Sequence, residues 1–563
     1  MARNILFVMF DQLRFDYLAC AGHPHIETPN IDRLAARSVR FSRTYVQSPV
    51  CGSSRMSFYT GRYASSHGAQ WNNMPLKVGE QTIGDHLRSL GMESWLVGKT
   101  HMKADAAGMA RLGLEPDSVI GARVAECGFD VWLRDDGLWA EGPDGFYDER
   151  RSPYNEYLRS LGHAEHNPWH DHANAGVADG DVASGFFMEN ARLPANIADE
   201  HSETPWLTRE VMRFMESRDD TPWLCHASYI KPHWPYIVPA PWHDMYGDEH
   251  VPPAVRDEAE LADPHPVYRA FTQNRVGQAF SRDEVRRAVI PAYMGLISQA
   301  DAAIGALVDH MEETGRMEDT MIVLTSDHGD YLGDHWLGEK GFLHDPSVRV
   351  PLIVYDPCGE ADATRGTVVD APVEAIDLAA TFVEFAGGRM KDRLDHVIEG
   401  RSLLPWLHGG LRGETPEWRD YAVSEYDYSA TPMASALGLR PRDARLFMIA
   451  DERWKFIHAE GVDPKTGEAF PPLLFDLADD PQELVDLGRS GRHGDIIETM
   501  YERLGKWGRR LSQRTTRSEE EIDAMRVRSG RRGVVLGVHS PDEIDPELTQ
   551  AYRGKAPVRP SSF

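Results

Sequence analysis

Cysteine is scarce in this chain. The 563 residues hold five, Cys20, Cys51, Cys127, Cys225 and Cys358, far apart and with no CxxC among them. An odd number at wide spacing argues against a disulfide framework and against a cysteine-built zinc site. Long hydrophobic runs are missing too, since no stretch approaches the ~18 apolar residues of a membrane span. The opening MARNILFVMFDQ is apolar only briefly, is interrupted by Asp11 and has no small-residue cleavage site, so no signal peptide is expected. The expected compartment is a reducing cytoplasm. Positive charge is in deficit: 60 Lys+Arg against 88 Asp+Glu leave a net charge of −28. That balance argues against general nucleic-acid or anionic-membrane binding, because a phosphate backbone requires a basic stripe. A small anionic substrate is compatible with it where a few cations converge locally. Internal repeats and low-complexity tracts are absent as well.

What is present is a globular composition, 41% apolar and 26% charged, in a strand-helix-strand rhythm. Ile5 to Phe10 is a continuous apolar run that ends abruptly in a carboxylate, the pattern of a strand buried on both faces. Thr28-Pro29 opens a helix, with Thr as N-cap and Pro in the first turn. Ile83–Leu90 is a second helix, and ESWLVGKTH a strand leading to Lys99 and His101. WLCHASYIKPHWPY (223–236), a helix around 291–315, MIVLTSDHGD (321–330) and PLIVYDP (351–357) continue the alternation. An α/β fold with a mostly parallel sheet follows. Between about 105 and 205 the rhythm lapses into Gly, Pro, Asp, Trp and His, which reads as an insertion near the site. The expected organisation is a catalytic domain over 1–416, a small α+β subdomain over 417–513, and a polar arm over 514–563.

Four strand ends carry polar residues of one chemical kind: FDQ (10–12), SPVCGSSRMSFYTGR (48–62), VGKTH (97–101) and TSDHGD (325–330). The carboxylates of Asp11 and Asp327 and the imidazole of His328 suit one divalent cation, Ca²⁺ or Mn²⁺ rather than a sulfur-bound zinc. In an open parallel sheet, residues far apart in sequence meet at the carboxyl edge. Cys51 precedes a short helical stretch, whose N-terminus favours anions, and Arg55 follows one turn later on the same face. His163, His166, His170 and His172 cluster in the insertion, but their spacing fits no common zinc pattern and reads as a solvated loop. Trp132, Trp139, Tyr147, Tyr154 and Trp169 are candidates to line an aryl pocket.

CGSSRMSFYTGR resembles the signature of the type I sulfatases and the related phosphonate monoester hydrolases of the alkaline phosphatase superfamily. That signature reads Cys-x-Pro-x-Arg, four residues, then Thr-Gly-Arg. FDQ, TPNIDRLA, GKTH, KPHWPY, SDHGDYLGDH with Lys340 after it, and DLADDPQELVDL resemble the same family, so the likeness spans residues 1 to about 513. It implies an alkaline-phosphatase-like sheet sandwiched by helices, with a smaller C-terminal α+β subdomain and an extended arm. It further implies that Cys51 is oxidised to formylglycine by a formylglycine-generating enzyme, and that the hydrated aldehyde is the nucleophile. Asp11, Asp327 and His328 would hold the metal, with residue 51 and Gln12 as further ligands. Arg55 would orient the hydrate, while Lys99, His101, Asn72, His233 and Lys340 would surround the sulfuryl or phosphoryl group. In the implied cycle His233 assists the leaving group, and His101 then takes a proton from the second hydroxyl so that sulfate is expelled. Position 53 is Ser where the signature has Pro or sometimes Ala, so conversion of Cys51 is expected either to be partial or to depend on a maturase that tolerates Ser.

Three functions compete at this point. The leading one is hydrolysis of organic (aryl) sulfate monoesters, with promiscuity toward phosphonate monoesters and phosphodiesters. The second is a phosphonate monoester or phosphodiester hydrolase on the same scaffold, and the third a silent anion-binding homologue, suggested by Ser53. A thiol protease is excluded by the lack of a Cys-His-Asn context. Lys99 and His101 favour the first, because the phosphonate hydrolases carry Tyr and Thr at the corresponding places. The long arm resembles segments that join subunits in that branch, so a homo-oligomer, dimer or tetramer, is expected.

Overall fold

The structure is a computed structural model that describes residues 4–142, 147–148, 150–390, 396–409 and 416–510. The arm expected over 514–563 lies outside the described residues. Strands β1 (Asn4–Asp11), β2 (Val39–Tyr45), β3 (Glu93–Gly98) and β4 (Asp130–Arg134) open the chain, and β5 (Ala175–Ala178) and β6 (Asp181–Ser184) form a separate hairpin. Then come β7 (Trp223–Pro232), β8 (Thr320–Ser326), β9 (Arg349–Tyr355), β10 (Val368–Val369) and β11 (Val373–Glu374). The main sheet runs β10-β2-β9-β8-β1-β7-β3-β4, with β11 also on β2. Only β9 runs against its neighbours. The α/β expectation holds.

β1 is central and wholly buried. Its alternating side chains feed two cores: Ile5, Phe7 and Met9 face one, Leu6, Val8 and Phe10 the other. That is the period-2 geometry of a strand covered on both sides. On one face lie α1 (Pro29–Ala35) and the helices Glu203–Glu216 and Asp283–Glu313. On the other lie α2 (Cys51–Thr60) and the helices Ile83–Ser89 and Asp377–Phe385. A second sheet, β12 (Ala422–Asp427), β13 (Arg445–Ala450), β14 (Trp454–Ala459) and β15 (Leu473–Asp476), is antiparallel throughout and is followed by the helix Gly494–Gly508. It is tied to the first: Glu425 N–H donates to Gln47 O at 2.8 Å, and buried Lys455 is paired with Asp345 and Glu483.

Three expectations shift. The helix placed at 291–315 begins at Asp283, and Pro291 sits within it rather than at its start. Thr28 is the N-cap residue of α1, but its hydroxyl bonds to Asp32 and the Ala19 N–H instead of a helix N–H. Within 105–205, Asp130–Arg134 pairs with β3 and is an edge strand of the main sheet, so that part of the segment belongs to the core layer. Among the described residues, no helix is long and apolar enough to cross a membrane.

Candidate active site

β1, β3, β7 and β8 are mutually parallel neighbours, so their carboxyl ends share one edge. They deliver Asp11 and Gln12, Lys99, His233, and Asp327 and His328 respectively. α2 presents Cys51 at its first residue, over the same edge. Two glycines make the approach possible. Gly98 has φ +115°, and a Cβ there would stand 2.1 Å from Ser228 O. At Gly52 a Cβ would stand 2.8 Å from Asn72 Oδ1, which accepts the Gly52 N–H.

Cys51 is buried, with Sγ 3.1 Å from His328 Nε2, 3.2 Å from Lys340 Nζ and 3.8 Å from Asp11 Oδ1. His101 lies next to the first turn of α2, its carbonyl 3.6 Å from where a Gly52 Cβ would stand. Arg55 is fully buried and spends its donors on the frame: Nε on Asp327 Oδ2 at 2.8 Å, Nη2 on Asp11 Oδ2 at 3.2 Å, and Nη1 on Lys99 O and Ser228 Oγ. It thus clamps the two carboxylates together instead of bonding to Sγ. Lys99 Nζ lies 2.6 Å from Asp11 Oδ2. Gln12, at φ +70°, spans Lys340 through Oε1 at 3.2 Å and Asp330 and Tyr236 through its amide NH₂.

Burial disfavours a thiolate at Cys51, yet Lys340, His328 and Lys99 outweigh it and hold the thiol well below its ordinary range. Burial and Cys51 also raise Asp11, but Lys99, His233 and Arg55 prevail and keep it ionised. Burial and the adjacent Asp11 push Asp327 up, against His328 and Arg55. Burial and Lys340 push His233 down to about 4, against Asp11. Its Nδ1 faces Trp234 O at 2.8 Å, so that nitrogen carries the proton and Nε2 accepts from Lys340 Nζ at 3.1 Å. His328 is oriented alike, with Nδ1 donating to Gly329 O at 2.8 Å and Nε2 facing Cys51; burial and Lys340 lower it, but Asp327 and Cys51 prevail and hold it above its ordinary range. The chain is acidic overall, but Arg55, Lys99 and Lys340 gather here, and that local convergence suits an anion.

Asp11, Cys51, Asp327 and His328 are all buried and offer ligand atoms within 4.8 Å of one another. Two carboxylates with one imidazole whose Nε2 faces both, 3.6 Å from each, fit a divalent cation. The eleven residues singled out at the strand ends and nearby loops converge, with two differences of detail. Asn72 holds the start of α2 through Gly52, and Gln12 is spent on Lys340 and Asp330. The candidate aryl-lining residues part company: Tyr154 and Trp169 are fully buried packing residues, Trp139 is exposed, and Trp132, which packs against Phe214, lines with Tyr147 a cavity that holds none of the eleven. Besides buried Tyr236, aromatic side chains by the site include Trp234, 4.9 Å from the His233 ring, and beyond it Phe186, 5.5 Å from Trp234 and 43% exposed. Sequence reading missed Ser228, Tyr236 and Asp330. The last two sit inside the quoted motifs KPHWPY and TSDHGD, whereas Ser228 has no local signal.

Ser53 is buried inside α2, and its hydroxyl has no hydrogen-bond partner among the described residues. An unsatisfied buried hydroxyl costs about 1–3 kcal/mol, and alanine is the better helix former. Ser53→Ala is therefore expected to stabilise the protein by about 1–2 kcal/mol, read as a higher denaturation midpoint in urea. An unchanged or lower midpoint would show that the hydroxyl is satisfied.

The fold and this edge site are those of a hydrolase of the alkaline phosphatase superfamily. Residues 3–388 match the Sulfatase family model, and residues 333–510 match the model for N-sulphoglucosamine sulphohydrolase, C-terminal. The chain belongs to the sulfatase family. It is 28% identical to the multifunctional alkaline phosphatase superfamily protein PehA of Trinickia caryophylli, over 91% of this chain and 96% of that one. It is also 28% identical to an arylsulfatase of Clostridium perfringens, covering 90% and 94%. Among solved structures, the phosphonate monoester hydrolase of Silicibacter pomeroyi superposes with a TM-score of 0.76 at 28% identity, covering 91% and 96%.

Proposed function

We propose that the protein hydrolyses organic sulfate monoesters, aryl sulfates foremost, with residue 51 as formylglycine and one divalent metal, Ca²⁺ or Mn²⁺. Asp11, Asp327, His328 and residue 51 would hold the ion, which would supply Lewis-acid polarisation of a sulfuryl oxygen. Hydrated formylglycine would supply the nucleophilic oxygen, and the active chain would need a formylglycine-generating enzyme for it. The observation that carries the reading is the Lys99 and His101 pair beside residue 51, with Lys99 Nζ 2.6 Å from Asp11 and the His101 carbonyl 3.6 Å from where a Gly52 Cβ would stand.

The roles follow from where protons sit. His101 follows Lys99 at the same edge, and its buried Nδ1 has no partner among the described residues, so it can take a proton from the nucleophilic group. Lys340 lies between Sγ and His233 Nε2, and that pair can pass a proton to the departing oxygen. Lys99 fixes positive charge on the opposite side of Asp11. Arg55 keeps the carboxylates in register. Trp234 and Phe186 offer a stacking surface for an aryl leaving group. The wider organisation, a catalytic domain over 1–416, a subdomain over 417–513 and an oligomer-forming arm, belongs to the same proposal.

A second reading, phosphonate monoester or phosphodiester hydrolysis, is favoured by the likeness to the Silicibacter pomeroyi enzyme. Matched p-nitrophenyl substrates separate the two. We expect the higher kcat/KM on the sulfate, and we expect the paired variant Lys99→Tyr with His101→Thr to cost sulfate hydrolysis more than phosphonate hydrolysis. A wild-type preference for the phosphonate would make the second reading the better one.

A further inference from the structure

The turn after the helix Pro153–Ser160 and the following π-turn Trp169–Ala173 bring together side chains that the catalytic site does not use. The His163 and His172 rings lie with centroids 3.6 Å apart and planes tilted by 30°. Glu165 Oε1 lies 3.9 Å from His172 Nδ1. One ligand atom from each of the three falls within 4.8 Å of the others. A further observation points the same way. Glu165 Oε2 is a shielded oxygen that accepts no hydrogen bond among the described residues, on a side chain that is otherwise 38% exposed.

The loop that carries these groups is anchored from below. Asn155 Oδ1 accepts the Trp169 N–H at 2.6 Å, its amide NH₂ donates to Asn167 Oδ1 at 3.1 Å, and the Trp169 indole N–H donates to Glu203. The three donors are therefore held on a built framework. His166 and His170 take no part: His166 is exposed, and His170 Nδ1 is bound to Asp171.

We propose that His163, Glu165 and His172 form a second, non-catalytic site for a borderline divalent transition ion such as Zn²⁺. Two imidazoles and one carboxylate suit such an ion better than Ca²⁺, with water completing the coordination. The ion would clamp the two turns together. Asn174, two residues beyond His172, accepts the Lys231 ammonium at 2.7 Å, and Lys231 also donates to Pro235 O at 2.8 Å. The clamp thus stiffens the support of the loop that carries His233 and Trp234.

The test is calorimetric titration of the full-length, Ca²⁺-loaded protein with Zn²⁺. Wild type should bind one more equivalent than His163→Ala or His172→Ala, and its melting temperature should rise with Zn²⁺ while theirs does not. Glu165→Gln keeps the shape of the turn and should weaken this binding at least about tenfold, the size that outer-partner losses already reach. Zinc-edge X-ray absorption on the loaded wild type should show two imidazoles. Equal stoichiometry in wild type and both histidine variants, or Glu165→Gln binding as tightly as wild type, would overturn the site.

Discussion

Turnover of p-nitrophenyl sulfate is expected to fall by more than about a thousandfold in Cys51→Ala, the scale on which loss of a nucleophile acts, with the fold intact. The side chain is small and buried at the first residue of α2, so its removal leaves only a minor void in the protein frame. What it deletes is the group that faces both His328 and Lys340. In wild type the rate should track the fraction of residue 51 that carries an aldehyde, measured by mass spectrometry of the peptide spanning it. Full activity in protein shown to contain only the thiol would sink the formylglycine mechanism.

Asp327→Asn should be nearly as damaging. Asp327 accepts from Arg55 Nε and from the Gln12 N–H, and its neighbour His328 faces residue 51. The amide keeps the shape but removes one of two anionic donors and leaves the buried Arg55 with Asp11 alone. Bound metal should drop well below one equivalent, and the rate by at least about a hundredfold, in line with several kcal/mol of Lewis-acid stabilisation. Chelation of wild type should reproduce the loss, and Ca²⁺ or Mn²⁺ should restore it. Elemental analysis showing no divalent ion in active protein would rule the metal out.

The sheet was legible because its central strands are unbroken apolar runs that stop at polar residues: Ile5–Phe10 before Asp11, and Met321–Leu324 before Thr325, Ser326 and Asp327. That pattern encodes both double burial and the edge at which the chemistry collects. The start of the helix at Asp283 was not legible, because Pro291 is a strong first-turn signal and nothing local says that surrounding packing will carry the helix through it. Aromatic residues in 105–205 misled for a related reason. Composition marks Tyr154 and Trp169 as available, whereas the fold buries them and brings Phe186 and Trp234 to the site. Likewise the spacing of His163 and His172 matches no motif, since two separate turns close the gap. Ser228 is one of many serines until β7 sets it against Arg55.

The burial of residue 51 also imposes an order on events during synthesis. In the folded chain Cys51 is 1% exposed, so any enzyme that modifies its thiol has to reach it before the pocket closes. Closure needs His328, 277 residues further along the chain. At a typical elongation rate of about 5–20 residues per second, that separation gives roughly 15–55 s between the appearance of Cys51 and that of its wall. Slowing translation downstream of codon 51 should therefore lengthen the interval for modification, and speeding it should leave more chains sealed around an unmodified thiol.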